Sequence, residues 1–502
     1  MYPKLSNTYS VNKPIRPDKL MTEEEYRTRV KELAKTKSFT EADSEFLQKL
    51  NTLTLDLKTM ITYNADTAKN GTVYYVSNGG NDDNDGLSPE TAWATLDKVN
   101  KTVFTSPVTI LFKRGDEWRG YIDIRSDMTF SAYGEGLKPK IITAYDASDS
   151  GKWVETATKN VWRYDNALPD PDIPMVVYND GETYGIKKTA LEDLNEHLDF
   201  VYNSKRISET EYDNKLYVYC EKGNPAKVFK TININMLIKP ADCTIQGLHD
   251  VLMHNIEFVY GRGVFFATRS KNVRMSYCVA GWGGGHYTWN KLLRYGGGAG
   301  AWHSCDKMIF DHCYFYQQFD SGVSPQYHWR DTDTSVFKDF LTYNCLFETT
   351  EYTLEYFSTQ NTSDDNRYEN MYFGYNLCRL GGYGYGDKTE KSRYVKSWGH
   401  ENPCYDCKFE YNIFDRAADV SLEIIGHAPT LRGKHVSYDH IPKMNNNIYI
   451  EPKDKVFANI NHIMYKFNEA SHITLEKLGV EKGAVYVFCD KKDDDVILAE
   501  SK

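Results

Sequence analysis

The sequence has no stretch that would hold it in a membrane or carry it through one. The opening Met1-Tyr2-Pro3-Lys4-Leu5 lacks an apolar leader core, and no later run approaches the roughly 20 apolar residues of a spanning helix. The chain is therefore expected in the cytoplasm, or as a mature form whose leader is gone, and the sequons at Asn70 and Asn361 read as chance matches. An excess of positive charge is also missing. With 60 Lys and Arg against 70 Asp and Glu, the formal net charge is −10, which argues against nucleic acid and membrane as partners. An acidic polymer would need a local basic cleft. The lone Cys404-Tyr405-Asp406-Cys407 has no second pair and no βαβ setting, so zinc or dithiol chemistry is not expected. The glycine runs lack the Lys-Ser/Thr of a phosphate loop. The acidic turn that includes Asp83 and Asp85 lacks the closing Glu of a calcium loop, since Ala92 stands twelfth from Asn81. A turn bonded by its own side chains is expected there, with structural Ca²⁺ as the alternative and no other cofactor.

What the chain does have is a phrase that returns. Short strands headed by Asn, His or Tyr recur at Asn255-Ile256-Glu257-Phe258, Tyr277-Cys278-Val279, His312-Cys313-Tyr314-Phe315, Asn344-Cys345-Leu346-Phe347, Asn376-Leu377-Cys378, Asn412-Ile413-Phe414 and Asn447-Ile448-Tyr449. The spacing is about 22 residues once and then roughly 32 to 36, the range of solenoid repeats. Such coils cannot bury an apolar face alone and must stack. The fold class expected is all-β: a right-handed parallel β-helix with stacked Asn, Cys and aromatic ladders and its thiols buried and reduced. The 38 Tyr and 9 Trp exceed what a core needs, and sugar rings stack on aromatic faces.

Along the chain, residues 1–70 read as a polar arm and two helices. Thr22-Glu23-Glu24-Glu25 and Ser38-Phe39-Thr40-Glu41 are capping boxes, and the helical pair is expected over the N-terminal end of the solenoid. First coils occupy 71–144. Short alternating strands at 145–235 predict an inserted small β-sandwich. The main solenoid runs over 236–451, and 452–502 close its C-terminal end.

Tyr75-Val76-Ser77 through Asp85-Gly86-Leu87-Ser88-Pro89, followed by Trp93-Ala94-Thr95-Leu96, resembles the opening motif of pectate-lyase-like β-helix proteins. With the inserted sandwich, the chain is similar over roughly residues 72–450 to parallel β-helix glycoside hydrolases of the β-xylosidase, lacto-N-biosidase and fucosidase/xylanase type. Gly281-Trp282-Gly283-Gly284, Arg294-Tyr295-Gly296-Gly297-Gly298, Tyr316–Val323 and Tyr352-Thr353-Leu354-Glu355-Tyr356 carry that likeness. It implies the fold and a glycan-processing role, and no catalytic motif is carried over.

Glycoside hydrolysis needs two carboxyl groups flanking one bond, about 5–5.5 Å apart for retention and about 6.5–9.5 Å for inversion. Neighbouring coils lie about 4.8 Å apart, so acids on adjacent coils meet that requirement. Aligning His312 with Asn344 sets Asp320-Ser321-Gly322-Val323-Ser324 over Glu351-Tyr352-Thr353-Leu354-Glu355, with Asp419-Val420-Ser421-Leu422-Glu423 later. Asp320 and Glu355 sit among apolar or small residues, a setting that pushes a carboxyl toward its neutral form. They are the first catalytic candidates, with Glu351 as helper or replacement, ahead of Glu348, Asp331, Asp333 and Glu423. Trp282, His286, Trp289, Tyr295, Trp302, His303, Gln326, His328 and Trp329 are the candidates for binding an oligosaccharide. The expected activity is exo-acting glycoside hydrolysis. A uronate lyase or epimerase using Arg274, Lys307, Arg330, Lys338 or Lys396, or a non-catalytic glycan-binding protein, are the alternatives.

Overall fold

The computed structural model describes residues 13–490 except 106, 203–212, 240, 243–246, 288–293, 328–335, 359–365, 386–391, 400–402, 426–437 and 439. The chain forms a right-handed parallel β-helix whose coils contribute to three sheets of 13, 14 and eight strands. One coil runs through Cys305–Asp311 in the first sheet, Tyr314–Gln318 in the second and Ser321–Tyr327 in the third. The next repeats it with Val336–Tyr343, Leu346–Glu348 and Tyr352–Ser358. The coil repeat continues past residue 451, because Glu481–Lys482 and Val485–Phe488 pair parallel with the strands before them.

The corner between the first and second sheets explains the repeated phrase. Asn255, Tyr277, His312, Asn344, Tyr375, Tyr411 and Asn446 all turn it with φ between 49° and 57°. Asn tolerates this left-handed conformation best. Tyr and His carry more strain there, offset by ring stacking: Tyr277 on His312 at 4.5 Å and Tyr375 on Tyr411 at 5.0 Å. The alignment of Asn344 with Asn376 is one residue off. Asn376, Asn412 and Asn447 follow the corner residue, in the place that Cys278, Cys313 and Cys345 hold in earlier coils. Thiols and amides therefore form one buried ladder. Cys345 N–H donates to Asn376 Oδ1 (3.0 Å), Asn376 N–H to Asn412 Oδ1 (3.0 Å) and Asn412 N–H to Asn447 Oδ1 (2.9 Å). Cys378 belongs to another ladder, between Phe347 and Phe414. The nine described cysteines are free and buried.

Two helices cover the outer face of the second sheet. The first, Glu23–Leu33, is capped by the Thr22/Glu25 box, and Tyr26, Val30 and Leu33 on its buried face join a cluster with Tyr314, Leu346, Leu377 and Ile413. The second, Ser44–Tyr63, is capped by Asp43, not Ser38. Thr40–Glu41 instead forms a strand parallel to Val487–Phe488, because the last coil offers an open sheet edge. The helical pair thus lies along the solenoid's side, and its linker closes the C-terminal edge, not the N-terminal end. Arg379, only 2% exposed, ties the second helix down through Asp415 (2.8 Å), Thr54 Oγ1 (3.2 Å) and Asn51 Oδ1 (3.1 Å).

The insertion is a sandwich with a shared leaf. Ile232–Asn235, Val176–Tyr178 and Thr183–Tyr184 extend the second sheet antiparallel. A five-stranded sheet built on Trp153–Glu155, Val161–Tyr164, Asp199–Tyr202 and Leu216–Tyr219 packs over them. Trp153, Tyr178, Phe200 and Ile234 fill the space between. No helix among the described residues is long and apolar enough to cross a membrane.

Candidate active site

The corner between the second and third sheets carries the candidate carboxylates. Ser321 pairs with Tyr352, and Tyr352 N–H donates to the Asp320 carbonyl (3.0 Å). One position earlier, Asp320 therefore lies beside Glu351 on the adjacent coil. Tyr352 in turn pairs with Arg393, and Arg393 with Val420, which extends this ladder to Ser392 and Asp419. Glu355 belongs to a second ladder, four residues along the strand: Ser324, Glu355, Lys396, Glu423 and Asn459. At about 3.3 Å per residue, roughly 13 Å of strand separates the two ladders. The candidate carboxylates thus fall on two ladders, and Glu351, not Glu355, is the adjacent-coil neighbour of Asp320.

The two ladders are held differently. Glu355 is 4% exposed and forms an ion pair with Lys396 at 2.8 Å, while the Lys396 ammonium sits 3.6 Å from the centre of the Tyr352 ring. Gln326 Nε2 reaches Glu355 Oε2 at 3.4 Å. Arg393 bridges Asp419 and Glu423. Asp320 is half-buried, and its Oδ2 accepts from Gly296 N–H at 3.2 Å. Gly296 lies in a hairpin inserted into the coil, where His286 pairs with Tyr295 across two short antiparallel strands. Glu348 lies elsewhere, on the second sheet under the helices, paired with Lys58 at 2.6 Å.

The binding candidates separate in the same way. Trp282 is fully buried with φ 58° and packs between Tyr184 and Tyr385, so it joins sandwich to solenoid and has no face for a sugar. His286 is 2% exposed and half-buried Tyr295 meets its ring at 3.9 Å. Burial, then the charges of Arg262, Lys187, Arg294 and Lys239, push the His286 imidazole down to about 2, so it is neutral. Trp302 and Gln326 are register partners on the third sheet, both half-buried. His303 turns the chain after Trp302 with φ 63°. Trp289, His328 and Trp329, with Asp331, Asp333 and Arg330, lie outside the described residues.

The glycines do not leave room for a ligand. A Cβ on Gly284 would stand 1.5 Å from the Gly296 carbonyl oxygen, and one on Gly281 would stand 2.0 Å from the Tyr316 ring. Close approach of backbone and ring inside the fold requires them. In the acidic turn, Asp82 accepts from Ala94 N–H and Thr95 N–H, and Asp85 from Leu87 N–H and Thr91 Oγ1, so these carboxylates close the turn itself. Arg274 is held by Asp311, and Lys307 and Lys338 lie on the first sheet, away from the candidate carboxylates. A cleft of about 290 Å³ lined by Arg119, Tyr145, Asp146, Tyr164, Asn166 and Met236 sits at the sandwich junction and includes none of the candidate carboxylates.

Composition gave no pointer to Arg262, Arg294, Lys187 and Lys239. They come from a coil turn, the inserted hairpin, the sandwich and the segment leading back to the solenoid, and only the fold gathers them.

No family model and no curated protein matches the chain. Solved structures do. One described as a glycoside hydrolase is similar over 86% of this chain and 98% of its own, at 8% identity and a TM-score of 0.47. The complex of XylC with xylose covers 84% and 86%, at 14% identity and a TM-score of 0.38. A GH136 lacto-N-biosidase from Eubacterium ramulus covers 89% of this chain and 70% of its own, at 12% identity and a TM-score of 0.34.

Proposed function

We propose that the protein is a glycoside hydrolase and that Asp320 and Glu351 are its working carboxylates. The observation that carries this reading is their placement on adjacent coils at one corner, beside the inserted hairpin. Strand spacing of about 4.8 Å starts the two side chains in the range that acid-and-nucleophile or acid-and-base pairs require. One carboxyl protonates the leaving oxygen while the other attacks the anomeric carbon or activates water. Glu355, clamped by Lys396 and four residues further along the strand, is a weaker fit to either task and serves to hold the third sheet together. Trp302, Gln326 and Tyr295 offer half-buried contacts for sugar rings and hydroxyls. The hairpin stands beside Asp320, which suits release of units from a chain end.

The test is a panel of nitrophenyl glycosides and defined oligosaccharides with the purified protein. Cleavage that is lost in Asp320→Asn and in Glu351→Gln, with melting unchanged, supports the pair. Loss only in Glu355→Gln would move the chemistry to the second ladder. Mid-sized fragments early in digestion of a long polymer would refute exo action. The cations near Asp320 favour one second reading, elimination on a uronate, which would give an unsaturated product absorbing in the ultraviolet.

A further inference from the structure

We propose that the hairpin beside Asp320 forms a subsite for a carboxylate-bearing sugar, recognised by Arg262 and His286. This rests on reading the Asp320–Glu351 corner as the place of glycan cleavage, and it names the substrate class.

The residues form one chain of contacts. His286 and Tyr295 face each other across the hairpin with ring centroids 3.9 Å apart. The Tyr295 hydroxyl accepts from Arg262 Nη2 at 2.9 Å, and the Arg262 guanidinium carbon lies 5.2 Å from the Tyr295 ring centre. The next residue, Gly296, donates its N–H to Asp320 Oδ2 at 3.2 Å. Any sugar ring at Asp320 is therefore within reach of this group.

His286 points to a ligand. Its side chain is buried and, among the described residues, neither ring nitrogen has a hydrogen-bond partner. Buried polar groups in folded proteins are nearly always bonded, so an imidazole left with an open donor and an open acceptor marks a place where something else binds. Arg262 supplies the charge. It is half-buried, spends one donor on Tyr295, and has no carboxylate partner among the described residues. A guanidinium fork matches the two oxygens of a carboxylate, and the neutral imidazole can add one N–H beside it. Arg294, Lys239 and Lys187 bear on the same spot, with Lys187 answered by Asp172 at 2.6 Å. In a chain of net charge −10 such a cluster runs against the overall composition.

The experiment measures binding of galacturonate and glucuronate against galactose and glucose to the full-length protein by calorimetry. A charge-assisted contact predicts about tenfold or greater preference for each uronate over its neutral partner. Arg262→Gln should bring that ratio close to one while neutral-sugar binding persists, and Arg262→Lys should keep part of it. Raising salt should weaken uronate binding and not neutral binding in the unaltered protein, a readout that needs no variant to fold. Equal binding of acid and neutral sugars, or a preference that survives Arg262→Gln with melting unchanged, overturns the subsite. Cleavage of neutral glycans without uronate preference also overturns it and leaves the hydrolase standing. Uronate preference without cleavage of any glycan supports the subsite and counts against the hydrolase.

Discussion

At the corner between the first and second sheets, each rung from Cys313 to Asn447 passes a hydrogen bond to the next. At the corner between the second and third sheets, His286 is buried and, among the described residues, neither its ring nitrogens nor the Gln318 side-chain oxygen has a hydrogen-bond partner. The first corner is flanked by the first helix, through Arg27 to Asn344 and Tyr26 to the Tyr375 carbonyl; the second is flanked by an inserted hairpin and carries Asp320 and Glu351. Where the polar groups satisfy one another, the corner is a structural spine. Where they are left open, the fold carries a cost that a bound ligand can repay.

The sharpest way to break this comparison is to remove the chemistry without touching the spine. Asp320→Asn or Glu351→Gln should lower kcat by roughly 10²–10⁴-fold, the usual share of general acid–base catalysis, with the melting curve unmoved. A parallel loss of stability would show that the second corner is structural too. A change to a structural ion pair outside the ladder, at the far end of the second sheet, is Arg379→Ala, which leaves the Asp415 carboxylate, 0% exposed, short of one of its two guanidinium partners. It should cost about 3–5 kcal/mol in urea unfolding, with turnover of the remaining folded protein intact.

The end of the ladder gives a pH test. Burial raises the Glu481 carboxyl from 4.5 to about 7. A folded-state value above the unfolded one means that stability is fully present below pH 4.5 and lost as pH rises through 7. The loss reaches about 3 kcal/mol at higher pH, at 1.36 kcal/mol per unit. Glu481→Gln should flatten that part of the stability–pH profile, measured by denaturation at pH 5 and pH 8. An unchanged slope would mean that the last rung is ionised in the fold. Asn412→Ala should cost about 1–3 kcal/mol, since Asn376 N–H loses its buried acceptor and Asn447 Oδ1 loses one of its buried donors. Smallest of all, Thr22→Ala should cost about 1 kcal/mol by opening the cap of the first helix, read as a small drop in melting temperature.

The repeat was legible because it is local. Asn255, His312 and Asn344 advertise a left-handed corner, and the alternating strands between them announce a sheet. The Thr22 cap was legible for the same reason. The Ser38 box was not, because the open edge at Val487–Phe488 competes for that segment and no local signal records a partner more than 440 residues away. The off-by-one ladder shows a further limit. Cys345 and Asn376 share a rung although different residues precede them, and only the register of paired strands reveals it. In the candidate site, the coil alignment that sets Asp320 over Glu351 was readable, whereas the burial of Trp282 against Tyr184 and Tyr385 was not.

The sequence by itself determined the β-helix, the inserted sandwich and the two coils that bear the acids, because each is written in spacing, alternation and turn residues close together in the chain. Tertiary structure alone decided which acids are neighbours, which aromatics are core, where the N-terminal helices dock, and that the charges of Arg262, Arg294, Lys187 and Lys239 bear on one imidazole. Those outcomes depend on contacts between coils and insertions far apart in sequence, where packing and desolvation, not local propensity, set the energy.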